Sequence, residues 1–285
     1  MKHEWQDLPA SVRAAVTEKL GSSVLATSYP AKGRSSDLSI TVETRQGPVF
    51  LKGIQVGDRR VRMHRNEAKV NGILPDLAPR VLWEIETDGW LVLGYEHVTG
   101  RYADFSPGSP DLPLLANAVS TLAVELTPSP VAVDSLAVRW AKVSPWKRLA
   151  GTPETLDDWE TKNIVSLLKL ESQAIGQMDG PGLIHSDIHQ YNVIIGDRLR
   201  LIDWAWSCAG PRWADSAFLV LRLIGAGHTP KQAESWAGQI AAWQESTERE
   251  RVAFSAAVLG MWRYRKHFPE LIGAARNYVR YLTEK

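Results

Sequence analysis

Two short apolar runs, Gly182-Leu183-Ile184 and Val193-Ile194-Ile195, bracket a polar octet, His185-Ser186-Asp187-Ile188-His189-Gln190-Tyr191-Asn192. A third run, Leu201-Ile202, delivers Asp203 eleven residues after Asn192. Short aliphatic runs separated by Gly-Asp punctuation read as buried strands joined by a tight turn, and Gly196-Asp197-Arg198 is placed to make that turn. The pattern therefore sets an aspartate on a loop, an asparagine five residues later, and a second aspartate at a strand end, all rising from a rigid apolar base.

Phosphoryl transfer from a nucleotide needs such a set. One carboxylate accepts hydrogen from the attacking hydroxyl, while an amide oxygen and another carboxylate hold the ions that neutralise the phosphates. The spacing His-x-Asp-x-x-x-x-Asn is also that of the kinase catalytic loop. His185-Ser186-Asp187-Ile188-His189-Gln190-Tyr191-Asn192 together with Ile202-Asp203-Trp204 resembles the aminoglycoside phosphotransferase and choline kinase family. The usual loop of that family is His-Gly-Asp-Leu-His-x-x-Asn, and its metal aspartate sits in Ile-Asp-Phe/Trp.

The resemblance implies an α/β (α+β) two-lobed, protein-kinase-like fold. Its parts would be a small β-rich N-lobe over residues 1–93, a hinge at 94–99, and a mainly helical C-lobe over 100–285 that carries the catalytic loop and acceptor site. The nucleotide is expected between the lobes. Asp187 is the implied catalytic residue, and Asn192 and Asp203 are the implied ligands of Mg2+. Lys52 ends the run Val49-Phe50-Leu51-Lys52, where the family's phosphate-holding lysine stands, and Glu67 follows fifteen residues on. Gly33, Ser35 and Ser36 lie in the loop expected to cover the phosphates, where glycine permits close backbone approach. Glu96 and Val98 belong to the hinge expected to read the base of ATP or GTP. His185, His189 and Asp215 are expected around the reacting groups, Asp215 from the segment Gly210-Pro211-Arg212-Trp213-Ala214-Asp215.

The coarse element pattern has the same order. A helix is expected over about 11–20, strands near 24–26, 38–44 and 49–52, a helix over 59–73, and a strand pair at 81–85 and 90–95. Helices are expected over 112–126, 156–178, 212–225, 230–245, 248–266 and 269–283. Residues 127–155, with four prolines and two tryptophans, have no clear period.

The bulk properties narrow the partners. A formal charge of +1 over 285 residues gives no basic field for nucleic acid. One cysteine, Cys208, rules out an internal disulfide and fits a reducing compartment. No run approaches the length of a membrane span, so the expectation is a cytoplasmic monomer or homodimer acting on a small hydroxylated molecule. Only eleven residues part Asp203 from Asp215, too few for a peptide-docking activation segment. The leading expectation is O-phosphorylation of an antibiotic-like acceptor such as an aminoglycoside or a nucleoside, a resistance activity. The alternatives are a metabolic kinase of choline, a sugar or an amino alcohol, and a catalytically silent nucleotide-binding module. Trp206, Trp213, Trp236, Trp243 and Trp262, and the acids Asp104, Asp157, Asp158, Glu234, Glu245, Glu248 and Glu250, are candidates for lining the acceptor site.

Overall fold

The computed structural model describes residues 3–30 and 36–284. The chain divides into two compact units, one of residues 1–102 and 191–206, the other of 103–190 and 207–285.

The first unit begins with α1 (Ala10–Leu20), which buries Val12, Val16 and Leu20, one side of a helix at four-residue spacing. Then come β1 (Ala26–Ser28), β2 (Leu38–Thr44) and β3 (Gly47–Gln55). α2 (Val61–Asn71) and the strands β4 (Val81–Thr87), β5 (Trp90–Glu96) and β6 (Arg101–Tyr102) follow. β1 to β5 form an antiparallel sheet in the order β1-β2-β3-β5-β4. Strand alternation sorts its two faces. Leu51 joins Leu38, Ile40, Val42 and Val92 beneath α1. Ile54, Leu91, Leu93 and Tyr95 form a second cluster with Phe50, Val61 and Ala68 on the α2 side. Lys52 has the parity of Phe50 and Ile54, so it issues on the face that α2 covers. β2 and β3 are joined by a tight connection, with Gly47 at φ 113°.

The second unit opens with α3 (Asp111–Glu125), then α4 (Leu136–Ala141), α5 (Pro145–Ala150), α6 (Asp158–Gln177) and β7 (Gly182–Ile184). The stretch without clear period thus holds two short helices. Trp146 of α5 is fully buried and donates its indole N–H to the Ala256 carbonyl at 2.7 Å.

The chain then returns to the first unit for β8 (Val193–Ile195) and β9 (Leu199–Leu201), which pair with β6 in the order β6-β8-β9. Sequence reasoning keeps residues 191–206 with the C-lobe, whereas they pack with the first unit. The reason is local. β8 pairs with β6, and the backbone of Gly196 meets that of Thr99 and Gly100 so closely that a Cβ on Gly100 or Gly196 would overlap the opposing carbonyl.

β10 (Cys208–Gly210) pairs with β7 in the second unit, followed by α7 (Ala214–Gly225), α8 (Pro230–Ala237), α9 (Glu248–Arg265) and α10 (Pro269–Thr283). The helix expected over 230–245 stops at Ala237 and resumes only as a 3-10 turn at Ala241–Glu245, because Gly238 and extended Ile240 interrupt it. Among the described residues no helix is long and apolar enough to cross a membrane.

Candidate active site

In the first unit the hairpin register explains why Asn192 and Asp203 stand together in the fold. Val193 faces Leu201, so Asn192 lies opposite Ile202, whose N–H bonds the Asn192 carbonyl at 2.9 Å. Asp203 is the next residue. Its φ of 63° lies in the left-handed region, which costs an aspartate of order 1 kcal/mol or more and turns the chain out of the strand.

The Lys52 ammonium lies 2.7 Å from Glu67 Oε2 and 2.7 Å from Asp203 Oδ1. Glu67 comes from the sheet-facing side of α2, three residues after His64, and its other oxygen accepts the Trp204 backbone N–H at 3.2 Å. Burial alone would lower the Lys52 pKa, but Asp203 and Glu67 outweigh it and hold the ammonium above its ordinary value. Tyr95, at the end of β5, has a buried hydroxyl with no hydrogen-bond partner among the described residues. Burial, then the Glu67 and Asp203 carboxylates, pushes its pKa up.

Ser36 is buried, and its hydroxyl lies 2.9 Å from His64 Nε2, so it is engaged with α2. Gly33 and Ser35 lie outside the described residues. Glu96 accepts the Arg80 N–H at 3.0 Å. Glu96 and Val98 border a hollow of about 910 Å³ with Trp83, His97 and Arg200. None of Lys52, Glu67, Asn192 and Asp203 lines that hollow. Arg65 and Glu86 pair with each other at the surface at 3.0 Å.

In the second unit the loop 185–187 is held from α7. Both oxygens of buried Asp215 accept backbone N–H groups, those of His185 at 2.9 Å and Ser186 at 2.8 Å. Ser186 has φ 63°, and this two-pronged acceptor secures the strained turn. His185 is fully buried, and its Nδ1 accepts the Asp187 N–H at 3.2 Å. Asp187 Oδ1 accepts from Arg222 Nη2 at 2.8 Å, and His189 Nε2 lies 3.9 Å from Asp187 Oδ2. Arg222 is a residue that motif reasoning misses. The available signal is a lone cation on the apolar helix Ala214–Gly225.

Most of the proposed acceptor-lining residues have other work. Trp213, Trp236 and Trp243 are core. Asp157 and Glu250 close capping boxes on α6 and α9. Glu234 accepts from Tyr278 and Tyr281, and Glu245 pairs with Arg212. Of the tryptophans, Trp262 is in the vicinity of Asp187's partner, its ring 5.8 Å from the Arg222 guanidinium carbon.

Asn192 and Asp203 offer one amide and one carboxylate oxygen. Among the described residues no group of three or more His, Cys, Asp or Glu could hold a metal by itself. Two hard oxygen donors nevertheless suit magnesium, which keeps waters and takes phosphate oxygens as further ligands.

A β-sheet unit bearing a Lys–Glu–Asp cluster and a helical unit bearing a clamped His-x-Asp loop define a class, the protein-kinase-like phosphotransferases. Residues 78–254 match the model of the phosphotransferase enzyme family, more than half of the chain, and the chain belongs to that family. It is a small-molecule kinase of the protein-kinase-like fold. Among solved structures it is similar to aminoglycoside phosphotransferase APH(4)-Ia, solved as a thermostable mutant with ADP and hygromycin B. That match has 13% identity and a TM-score of 0.62, and covers 95% of this chain and 98% of the other. Choline kinase LicA from Streptococcus pneumoniae matches at 15% identity, covering 97% and 100%, with a TM-score of 0.60. APH(3'')-Id from Streptomyces rimosus matches at 17%, covering 87% and 97%, with a TM-score of 0.58. A comparison with curated proteins gives no match.

Proposed function

We propose that this enzyme transfers the γ-phosphate of ATP or GTP to a hydroxyl of a small acceptor, with Mg2+ held by Asn192 and Asp203. The observation that carries the reading is the Lys52 ammonium at 2.7 Å from both Glu67 and Asp203. Glu67 fixes the lysine, and the lysine presents fixed positive charge to the α- and β-phosphates without reorganising during the reaction. The magnesium ion, when bound, neutralises charge on the phosphates. Asp187 aligns the acceptor hydroxyl and takes its proton, a contribution of roughly 100- to 10,000-fold. Loop alignment by Asp215 and His185 supplies the orientation that such a transfer needs.

Resistance by O-phosphorylation of an antibiotic and metabolic phosphorylation of choline or a related alcohol both fit this chemistry. The similar structures include an enzyme solved with hygromycin B and a choline kinase at nearly the same identity. Fold and catalytic loop do not choose between acceptors. The intact Asp187, Asn192, Asp203, Lys52 and Glu67 set disfavours a silent binding module.

The test is ADP and GDP release, with magnesium, across hydroxylated antibiotics, nucleosides, choline and sugars, for wild type beside Asp187→Ala. Acceptor-dependent release that collapses in the variant supports the reading and names the acceptor. Release untouched by the substitution removes Asp187 from the mechanism, and nucleotide binding without release for any acceptor favours the silent module.

A further inference from the structure

All residues of α7 but Gly225 are buried, and Asp215 and Arg222 are its only charged ones. They lie seven residues apart, two helical turns, and therefore share one side of the helix. Both reach the same three-residue loop. Asp215 takes the backbone N–H groups of His185 and Ser186, and Arg222 takes the Asp187 carboxylate.

Arg222 is only 7% exposed. Its guanidinium carbon lies 4.7 Å from the Phe268 ring centroid, and its Nε has no partner among the described residues. Phe268 in turn packs edge-on against Trp262, with ring centroids 5.7 Å apart. Burying a guanidinium on an apolar helix is costly, and apolar replacements at such places are often neutral or stabilising. Stability therefore does not account for a cation here. Its position against Asp187 does.

We infer that Arg222 is a positioning residue for the transfer: α7 grips the loop at two points, backbone through Asp215 and side chain through Arg222. A guanidinium suits this role better than an ammonium. Its planar fork fixes direction as well as distance, and its faces stack on aromatic rings. Phe268 and Trp262 limit where the fork can lie, so Asp187 Oδ1 is pinned and the carboxylate plane is set before the acceptor arrives. Arg222 touches neither nucleotide nor acceptor in this scheme. Its loss should act on turnover and leave binding of both largely intact.

The inference rests on the kinase reading above and is tested with the acceptor that the release panel identifies, or with water as acceptor where only nucleotide hydrolysis is seen. Arg222→Met should lower kcat about 100-fold, within the range of a general-base contribution, with both KM values changed less than threefold. Arg222→Lys should recover part of the loss. Arg222→Ala, which leaves a guanidinium-sized gap, should regain turnover on addition of millimolar guanidinium but not of sodium at equal ionic strength. In an Asp187→Asn background Arg222→Met should have no further effect on kcat, because the coupling it removes is already gone. Wild-type turnover in Arg222→Met overturns the inference. So does a loss expressed wholly in KM, or an Arg222→Ala protein that folds as wild type by circular dichroism yet ignores guanidinium. Silence of the wild-type enzyme itself would instead overturn the kinase reading on which the inference stands.

Discussion

Single residues in this chain carry energies that only the fold reveals. His64 reads in sequence as one more polar residue of α2, yet it is 1% exposed and lies 2.9 Å from the Ser36 hydroxyl. Burial first, and then the nearby Lys52 ammonium, lowers its pKa to about 4. Its folded pKa is below the unfolded value near 6.5, so the folded state binds fewer protons as the solution is acidified. The His64 contribution is therefore present above about pH 6.5 and is lost as pH falls from there toward 4. The shift corresponds to as much as about 3 kcal/mol. Urea midpoints should fall over that window in wild type and fall less in His64→Asn, and parallel pH profiles for the two proteins would refute the account. Lys52 behaves in the opposite sense. Its raised pKa gives stability that is complete below its ordinary value and lost only in strong alkali, so it adds no slope near neutrality. Removing it is another matter. Lys52→Met leaves Glu67, 3% exposed, without its ammonium, and should cost about 3–5 kcal/mol by denaturant titration. Asp187, Asn192, Asp203 and Lys52 were legible as candidates because their order and spacing resemble the motifs of a known family. Arg222 and Tyr95 were not, since their meaning depends on tertiary neighbours far along the chain.

Elements were legible where a local signal marks them. α6 and α9 begin at Asp157 and Thr247, each closing a capping box with the glutamate three residues on, and the expected ranges came close to both helices. The 230–245 helix was overextended because periodicity continues past Gly238 while the backbone does not. Residues 136–150 were opaque because α4 and α5 are six residues each, shorter than the two or three turns over which a helical period can be read. What holds α5 is long-range: Glu171 of α6 accepts the backbone N–H groups of Trp146 and Lys147 at 2.8 and 3.2 Å. Gly260 on α9 faces the Trp146 indole so closely that a Cβ there would overlap it. Gly260→Ala, normally favourable within a helix, should therefore destabilise by about 1–3 kcal/mol through overpacking. A rise in Tm would show that the indole can move aside. Thr247→Ala should cost about 1 kcal/mol by removing the α9 cap, a smaller and independent loss in the same assay.

At the level of the molecule, the chain's path decides where ligand binding should be felt. Residues 191–206 rejoin the N-terminal unit, so Lys52, Glu67, Asn192 and Asp203 all belong to one compact body although they span most of the sequence between them. Sequence alone shows the order of these residues but not this membership, because the β6–β8 pairing is two residues long and leaves no periodic trace. Ligand that binds the native state alone stabilises it by about 2.7 kcal/mol at one hundred times Kd. With a magnesium nucleotide held by that set, the gain should be local as well as global. Amide exchange should slow most in β3, α2 and the 193–203 hairpin, and Tm should rise by several degrees. Chelating the metal should remove most of the effect. In Asp203→Asn the nucleotide should protect equally with and without magnesium, because the carboxylate that would hold the ion is gone while Lys52 remains. Protection confined to the helical unit, or an effect of magnesium that survives Asp203→Asn unchanged, would place the nucleotide elsewhere than the Lys52 cluster.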